Sequence, residues 1–560
     1  MSRHAINVAV VMTATALITI GGCSAPRPAV TVTEVSRDPN TLTLLAELAL
    51  ERGDCRTAAE DYAAAALQST AAIAHRASEV GLGCDNLPSA WQSVQRWRAL
   101  APTDVDAATT YAAVAIKLYK IPAATAAAKT VVQAGGADAD ARTGQLASTL
   151  LEEAEAPAVL AVMSSAVGDK SSPEVLTLLA QLSLQAYDPE RADRYIHRAL
   201  GEEPDLAAAK QILARVYVMR GDAGQAIATA TEVMTSDPKT YRFELADILV
   251  ALDHQDEARQ ELERLRSEKA APPKEIDQRL ALLAFQEGDW AEAQRLFSDL
   301  AAHGDVGEGV ILYLADIAAR QGDTQAALAG YRQLENSQLA ITARTRAAAI
   351  LLPDKRAAAL ALLDNYAVAH PEQAFELTLT KVHLLADHGE MDAGLALLQA
   401  ALERHPDHPA LQYERAVLLD RAGAVKESID AFDHLLVERP DDPTLLNALG
   451  YTLADHEQQL PRAERLIRRA LVSSPANPAQ LDSLGWVRFR RGDPRGATPI
   501  LEHAYALSQD GDIAAHLGEV LWRSGDEAKA RKLWAEALAR DPDSALIKST
   551  MTRLLPQAPS

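Results

Sequence analysis

The sequence predicts an all-α fold: a superhelical solenoid that grows in one dimension by stacking short helical hairpins. Three observations predict it. At 560 residues the chain exceeds what one hydrophobic core encloses, so it divides into domains or extends as a repeat array. Apolar residues make up 48% of it but aromatics only 4%, which suits many closely packed short helices better than a few large aromatic cores. The third observation is a pattern that returns along the chain: a Gly often followed by Asp, a small residue five positions on, an aromatic or aliphatic residue nine on, and a small or aliphatic one twelve on.

The N-terminal element is a targeting segment. Arg3 precedes an apolar run from Ala5 to Ile20, which is short for a membrane span but of signal-peptide length. It ends in Ile20-Gly21-Gly22-Cys23, which resembles the lipobox of bacterial lipoproteins, an aliphatic residue and two small ones before the Cys that receives the lipid. The resemblance implies that residues 1–22 are cleaved, that Cys23 is lipidated, and, since Ser24 rather than Asp follows, that the product is carried to the outer membrane and faces the periplasm. Residues 23–39, with Pro26 and Pro28, read as an extended tether.

Residues 40–170 form a region of degenerate helical repeats that holds the remaining cysteines. Cys55 and Cys84 follow glycines in similar contexts 29 residues apart, near one repeat length. Equivalent loops of neighbouring repeats lie at one end of a solenoid, and disulfides persist in an oxidising compartment. A disulfide between them is the expectation, with two unlinked buried thiols as the alternative. No neighbouring Cys or His completes a metal set. Between 101 and 170 the Ala, Leu and Val periodicity indicates helices without settling their register.

Residues 171–440 carry the pattern openly. It reads Gly288, Ala293, Phe297, Leu300 and then Gly322, Ala327, Tyr331, Leu334, 34 residues later; an early copy is Gly53, Ala58, Tyr62, Ala65, and others begin at Gly221, Gly389, Gly423, Gly492 and Gly525. Each is a helical hairpin: Gly ends the first helix in the left-handed conformation, Asp caps the second, and small residues let the helices approach. Pro204 and Pro238 are 34 apart, as are Pro406 and Pro440, where proline stops one unit and opens the next. About eleven to fourteen units of roughly 34–40 residues fit the chain.

Residues 441–560 carry the clearest copies. Leu517, Gly518, Ala530, Ala537 and Pro542, preceded by Leu484, Gly485, Ala497, Ala504 and by Leu449, Gly450, Ala463, Ala470, Pro475, resemble the tetratricopeptide repeat. Leu179, Ala180, Ala192, Ala199 and Pro204 keep the spacing upstream, followed by Leu213, Ala214, Ala226 and Pro238. The resemblance implies a right-handed superhelix whose first helices line a concave groove. It places Asn447 and Tyr451, then Asp482, Trp486 and Phe489, then Glu519 and Trp522 on that groove as partner-binding residues. The aromatics among them are either exposed anchors or fillers of the inter-repeat core, as expected of Phe432 and Trp534.

Nothing in the sequence signals catalysis or a cofactor. It lacks a Walker-type phosphate loop, a His-Glu-x-x-His helix and a Gly-x-Ser-x-Gly elbow. His383 with His388, and His405 with His408, lack a third ligand at useful spacing, and Glu152-Glu153 and Glu202-Glu203 read as solvation and capping. A formal charge of -22 argues against a nucleic-acid partner, which is bound through clustered Lys and Arg. The expected protein is therefore a non-enzymatic scaffold.

A narrower resemblance covers residues 443–544. The runs Leu446–Asp455, Leu481–Val487 and Ala514–Trp522 look like the terminal repeats of outer-membrane tetratricopeptide lipoproteins that bind and activate a periplasmic carboxyl-terminal processing protease. This implies an adaptor that tethers the protease and helps deliver substrates such as peptidoglycan hydrolases, with the hydrolytic residues on the partner. The region of Cys55 and Cys84 has no match in those adaptors. The same anchor and solenoid also suit a scaffold of exopolysaccharide export or pilus assembly.

Overall fold

Short stretches rich in Ala, Leu, Glu and Arg, which lose little on entering a helix, alternate with turns. The computed structural model describes residues 38–555 apart from 137, 169–170, 305–306, 371–372, 407 and 543, and among these it shows thirty helices and no strand. The signal segment, Cys23 and most of the tether lie outside the described residues.

Fourteen pairs of consecutive helices form antiparallel hairpins, from Pro39–Glu51 with Cys55–Ala66 to Gly511–Arg523 with Glu527–Arg540, and Ala545–Leu554 covers the end. A fifteenth unit is hidden in the long helix Ala340–Ala369, which breaks at Lys355 (φ -135°, ψ 51°) just after Pro353. Its halves fold onto each other, since the Arg344 guanidinium lies 4.1 Å from the centre of the Tyr366 ring, whereas 22 residues of straight helix span about 33 Å. The chain thus holds more units than the glycine pattern predicts. In residues 101–170 the hairpins are Val105–Lys117 with Ile121–Val132 and Ala139–Glu153 with Ala156–Ala166; their turns contain no glycine at the expected place, which is why the sequence leaves the register open.

The local rules behave as the residues require. Gly53, Gly221, Gly288, Gly322, Gly389, Gly423, Gly492 and Gly525 all have positive φ, and Asp54, Asp222, Asp289, Asp323 and Asp493 accept hydrogen bonds from first-turn amides of the helices they open. The small residues at the crossings, Ala58, Ala293, Ala327, Ala463, Ala497 and Ala530, are wholly buried.

The crossing is tightest where the first helix carries glycine. A Cβ on Gly485 would stand 2.5 Å from Leu501 Cγ, and one on Gly518 would overlap the indole nitrogen of the fully buried Trp534. Gly518→Ala is therefore expected to destabilise the last hairpin by about 1–3 kcal/mol through overpacking. A lower urea midpoint for the C-terminal repeats, followed by tryptophan fluorescence, is the expected reading; an unchanged midpoint would refute the crossing geometry.

Consecutive first helices, Pro443–Asp455, Pro478–Arg490 and Gly511–Arg523, pack directly on one another, while the second helices contact chiefly their neighbours in sequence. In these repeats the side with the closer spacing is the inside of the curve, so their first helices form the inner wall, whereas near the N-terminus the second helices Cys55–Ala66 and Leu87–Leu100, and Ile121–Val132 and Ala156–Ala166, also pack on one another. The coil winds far enough for an early turn to meet a later one: loops between residues 85 and 253 touch loops between residues 408 and 509. A cavity of about 320 Å³ lies between these turns, bordered by Tyr119, Glu155, Tyr413, Arg439 and Asp442.

Candidate protein-binding face

The inner wall of the last repeats is built from polar side chains that pair across repeats. Residues one repeat apart stand side by side on adjacent first helices, so partners recur at that spacing. Arg421 donates to Asp387 at 2.8 Å. His516 Nδ1 lies 2.8 Å from Asp482 Oδ2, and Arg553 donates twice to Glu519, at 2.8 and 2.5 Å; each of these three pairs is 34 residues apart. Arg490 Nη2 donates to the Asp455 carbonyl at 2.7 Å, 35 residues away.

The structure brings the expected groove residues together, but not as a row of exposed anchors. Trp486 is 3% exposed; its indole N–H donates to Asp455 Oδ1 at 3.1 Å, its ring stacks on His516 with centroids 4.2 Å apart, and Arg490 lies 4.9 Å from its centre. Asp482 and Glu519 are also buried, held by His516 and Arg553. Trp522 is half-buried, 6.1 Å from Trp534 and covered by Arg531 at 4.8 Å. Phe489 is half-buried against both flanking cores. The helical spacing places these residues on the inner face, and the next first helix then packs over them. Of the two readings open for the aromatics, Trp486 takes the inter-repeat core, and Asp482 and Glu519 are covered beside it.

Asn447 and Tyr451 remain half-buried. The Asn447 amide oxygen and Asp482 Oδ1 have no hydrogen-bond partner among the described residues. Burial, with Asp455, Asp482, Asp512 and Asp420 adding to it, pushes the Tyr451 hydroxyl well above its ordinary pKa. The Asn447 and Asp482 oxygens are enclosed, and what the strip leaves accessible are the half-buried Asn447, Tyr451 and Asp455, a polar and acidic edge that suits a partner supplying N–H donors or positive charge.

Sequence reasoning missed His516, Asp455 and Asp420. Asp420 accepts from Thr452 at 3.2 Å and lies 2.7 Å from His456 Nε2. The signal that points to them is complementary residues one repeat apart, as Asp482 and His516 are. Burial favours the neutral form of His516, but Asp482, with Asp455 and Asp512 behind it, outweighs burial and raises its pKa. A histidine raised in this way contributes stability below its unfolded pKa and loses it as pH climbs through the folded one. The urea midpoint of the C-terminal repeats is expected to fall as pH rises above about 6.5, and His516→Gln to flatten that slope; equal slopes in both chains would refute the pairing.

Cys55 and Cys84 are joined by a disulfide, their Cα atoms 5.3 Å apart. It links the turn of the first hairpin to the turn of the second.

An all-α solenoid of two-helix units that cross on small residues has the architecture of tetratricopeptide-type repeats. Models of the tetratricopeptide repeat match residues 279–341, 379–443 and 488–554, and these segments carry repeats of that kind. It is similar to the TPR repeat-containing protein PA4667 of Pseudomonas aeruginosa, with 31% identity over 207 residues, 37% of this chain and 35% of that protein; the match thus spans about a third of the relative's length. Among solved structures, it resembles the thermophilic TPR protein TTC0263 of Thermus thermophilus (23% identity, 32% of this chain and 98% of that one, TM-score 0.30). It also resembles a chain of the APC/C hetero-tetramer Cut9-Hcn1 (15% identity, 94% and 99% covered, TM-score 0.31).

Proposed function

We propose that this chain is a lipid-anchored protein scaffold on the periplasmic side of the outer membrane, holding a carboxyl-terminal processing protease and bringing it substrates such as peptidoglycan hydrolases. The observation that carries the scaffold reading is the polar strip of half-buried Asn447, Tyr451 and Asp455 along the inner wall, which suits a partner that supplies N–H donors or positive charge. The lipobox at Cys23 supports the anchor, the Cys55–Cys84 disulfide suits an oxidising compartment, and the likeness of residues 443–544 to protease adaptors supports the partner.

The test is a pull-down from periplasmic extract with chain that starts after Cys23, partners being identified by mass spectrometry. A carboxyl-terminal processing protease is expected with wild type and is expected to be lost with Asn447→Leu. That change removes an unpaired acceptor, so melting should stay unchanged or rise. Recovery of export or pilus-assembly components in its place would overturn the adaptor reading. Full-length chain should fractionate with membranes and take up a fatty-acid label, and Cys23→Ser should abolish the label; unchanged labelling of that variant would overturn the anchor.

A further inference from the structure

In most hairpins the residue just before the second helix's N-cap is a glycine of positive φ, from Gly53 at 71° to Gly525 at 93°. Four turns between paired helices carry a side chain in that left-handed region instead, Asp85 (50°), Tyr119 (55°), Tyr187 (56°) and Asp253 (62°), and a fifth carries Glu457 (53°), two residues before the N-cap Gln459, itself at 44°. Glycine adopts this conformation freely, whereas a side chain there strains the backbone, and tyrosine more than aspartate. Residues held in such a conformation point to a compensating contact.

For the first four, that contact is with the next turn of the coil. Asp85 Oδ2 lies 2.6 Å from His408 Nε2. The Tyr119 hydroxyl donates to the Asp441 carbonyl at 2.9 Å. The Tyr187 carbonyl accepts from the Ala476 amide at 2.9 Å, and Asp253 Oδ2 from Gln509 Nε2 at 2.9 Å. The turn between Ala139–Glu153 and Ala156–Ala166, which has no left-handed residue, joins them: Thr444 Oγ1 donates to Glu155 at 3.2 Å. Each receiving residue lies in a loop between repeats or at the first turn of the helix that follows, and His408, Asp442 and Ala476 there are buried. Glu457, the fifth, pairs with Arg490 of the neighbouring hairpin at 3.1 Å and takes no part.

We infer that these turns form a closure seam that locks the early turn of the superhelix onto the late one, and that parting of the seam is the motion by which the inner channel changes width. Neighbouring repeats share only local interfaces, so a solenoid without such contacts flexes as a spring. Each seam contact is weak alone, but all are intramolecular and made together, so each raises the effective concentration of the others. The role given to the channel rests on the inner wall being the binding face; closure itself does not. The test therefore needs no partner, and its failure is distinguishable from failure of the scaffold reading.

The variant Asp85→Gly, Tyr119→Gly and Asp253→Gly restores the residue that most other turns use, so the hairpins keep their backbone while three side-chain contacts disappear. The Ala476 amide is the probe, because it bonds across the seam at Tyr187, which is untouched. Its hydrogen exchange is expected to accelerate by about tenfold or more, with a larger radius of gyration by small-angle scattering and unchanged helical circular dichroism. Glu457→Gly should leave Ala476 protected. His408→Ala with Gln509→Ala, which strips the seam from its far side, should repeat the acceleration. Wild-type protection of Ala476 in either seam variant, or loss of protection in Glu457→Gly, would overturn the proposal.

Discussion

Trp486→Ala is expected to lower the stability of the C-terminal repeats by about 3–5 kcal/mol, the range for truncating a large buried aromatic side chain. The indole at 3% exposure fills the junction between the Pro478–Arg490 and Gly511–Arg523 helices, stacks on His516 and donates to Asp455. Its removal leaves a cavity, an acceptor without its donor, and an ion pair between Asp482 and His516 whose cover has gone. A repeat array need not unfold in one step, so the reading is hydrogen exchange across residues 443–523 together with urea unfolding. A loss below about 1 kcal/mol, accompanied by lost partner binding, would return Trp486 to the role of an exposed anchor.

Removal of the disulfide by Cys55→Ser with Cys84→Ser is expected to cost about 3–4 kcal/mol, the loop-closure entropy for the 29-residue separation. The effect should concentrate in residues 39–100. Among the described residues the first hairpin packs on one neighbouring hairpin, and the core there is largely alanine, with Ala46, Ala58, Ala59, Ala66, Ala74 and Ala77 around Tyr62, Val94 and Trp97. Such small side chains bury little area each, so a covalent link replaces what a larger core supplies elsewhere. Faster exchange in the first two hairpins, with the C-terminal repeats unchanged, is the expected result. Unchanged exchange throughout would show that the alanine core holds without the link.

Much of the fold is legible in the residues because its rules are short-ranged. Glycine before an N-cap aspartate, alanine five residues later and proline after the second helix each act within one hairpin, so Gly288-Asp289 with Ala293 and Gly322-Asp323 with Ala327 read directly as turns and crossings. The reading failed where another residue took the glycine's place, as Tyr119 did, and where Pro353 and Lys355 turned the chain without a recognisable break in helix-forming residues.

The candidate face was legible only in outline. Spacing along one helix places Asn447, Tyr451, Asp482, Trp486 and Glu519 on the inner side, because helical periodicity is a property of the local chain. It says nothing of how closely the next first helix approaches, and that distance decides that Trp486 is core while the Asn447 oxygen is left unpaired. The pairs at one-repeat spacing, such as Asp482 with His516, lie between these limits: their period is in the sequence, but their partnership depends on the stacking.

By itself the sequence determined the hairpin, its 34-residue period and the stacking of units into a solenoid, since each follows from backbone preferences and burial over tens of residues. Tertiary structure alone decided which inner residues are covered, and which loops meet across the coil. Those outcomes depend on a small rotation between neighbouring repeats that accumulates along the stack, so that residues 256 and 322 positions apart come within hydrogen-bonding distance for a reason that no local pattern contains.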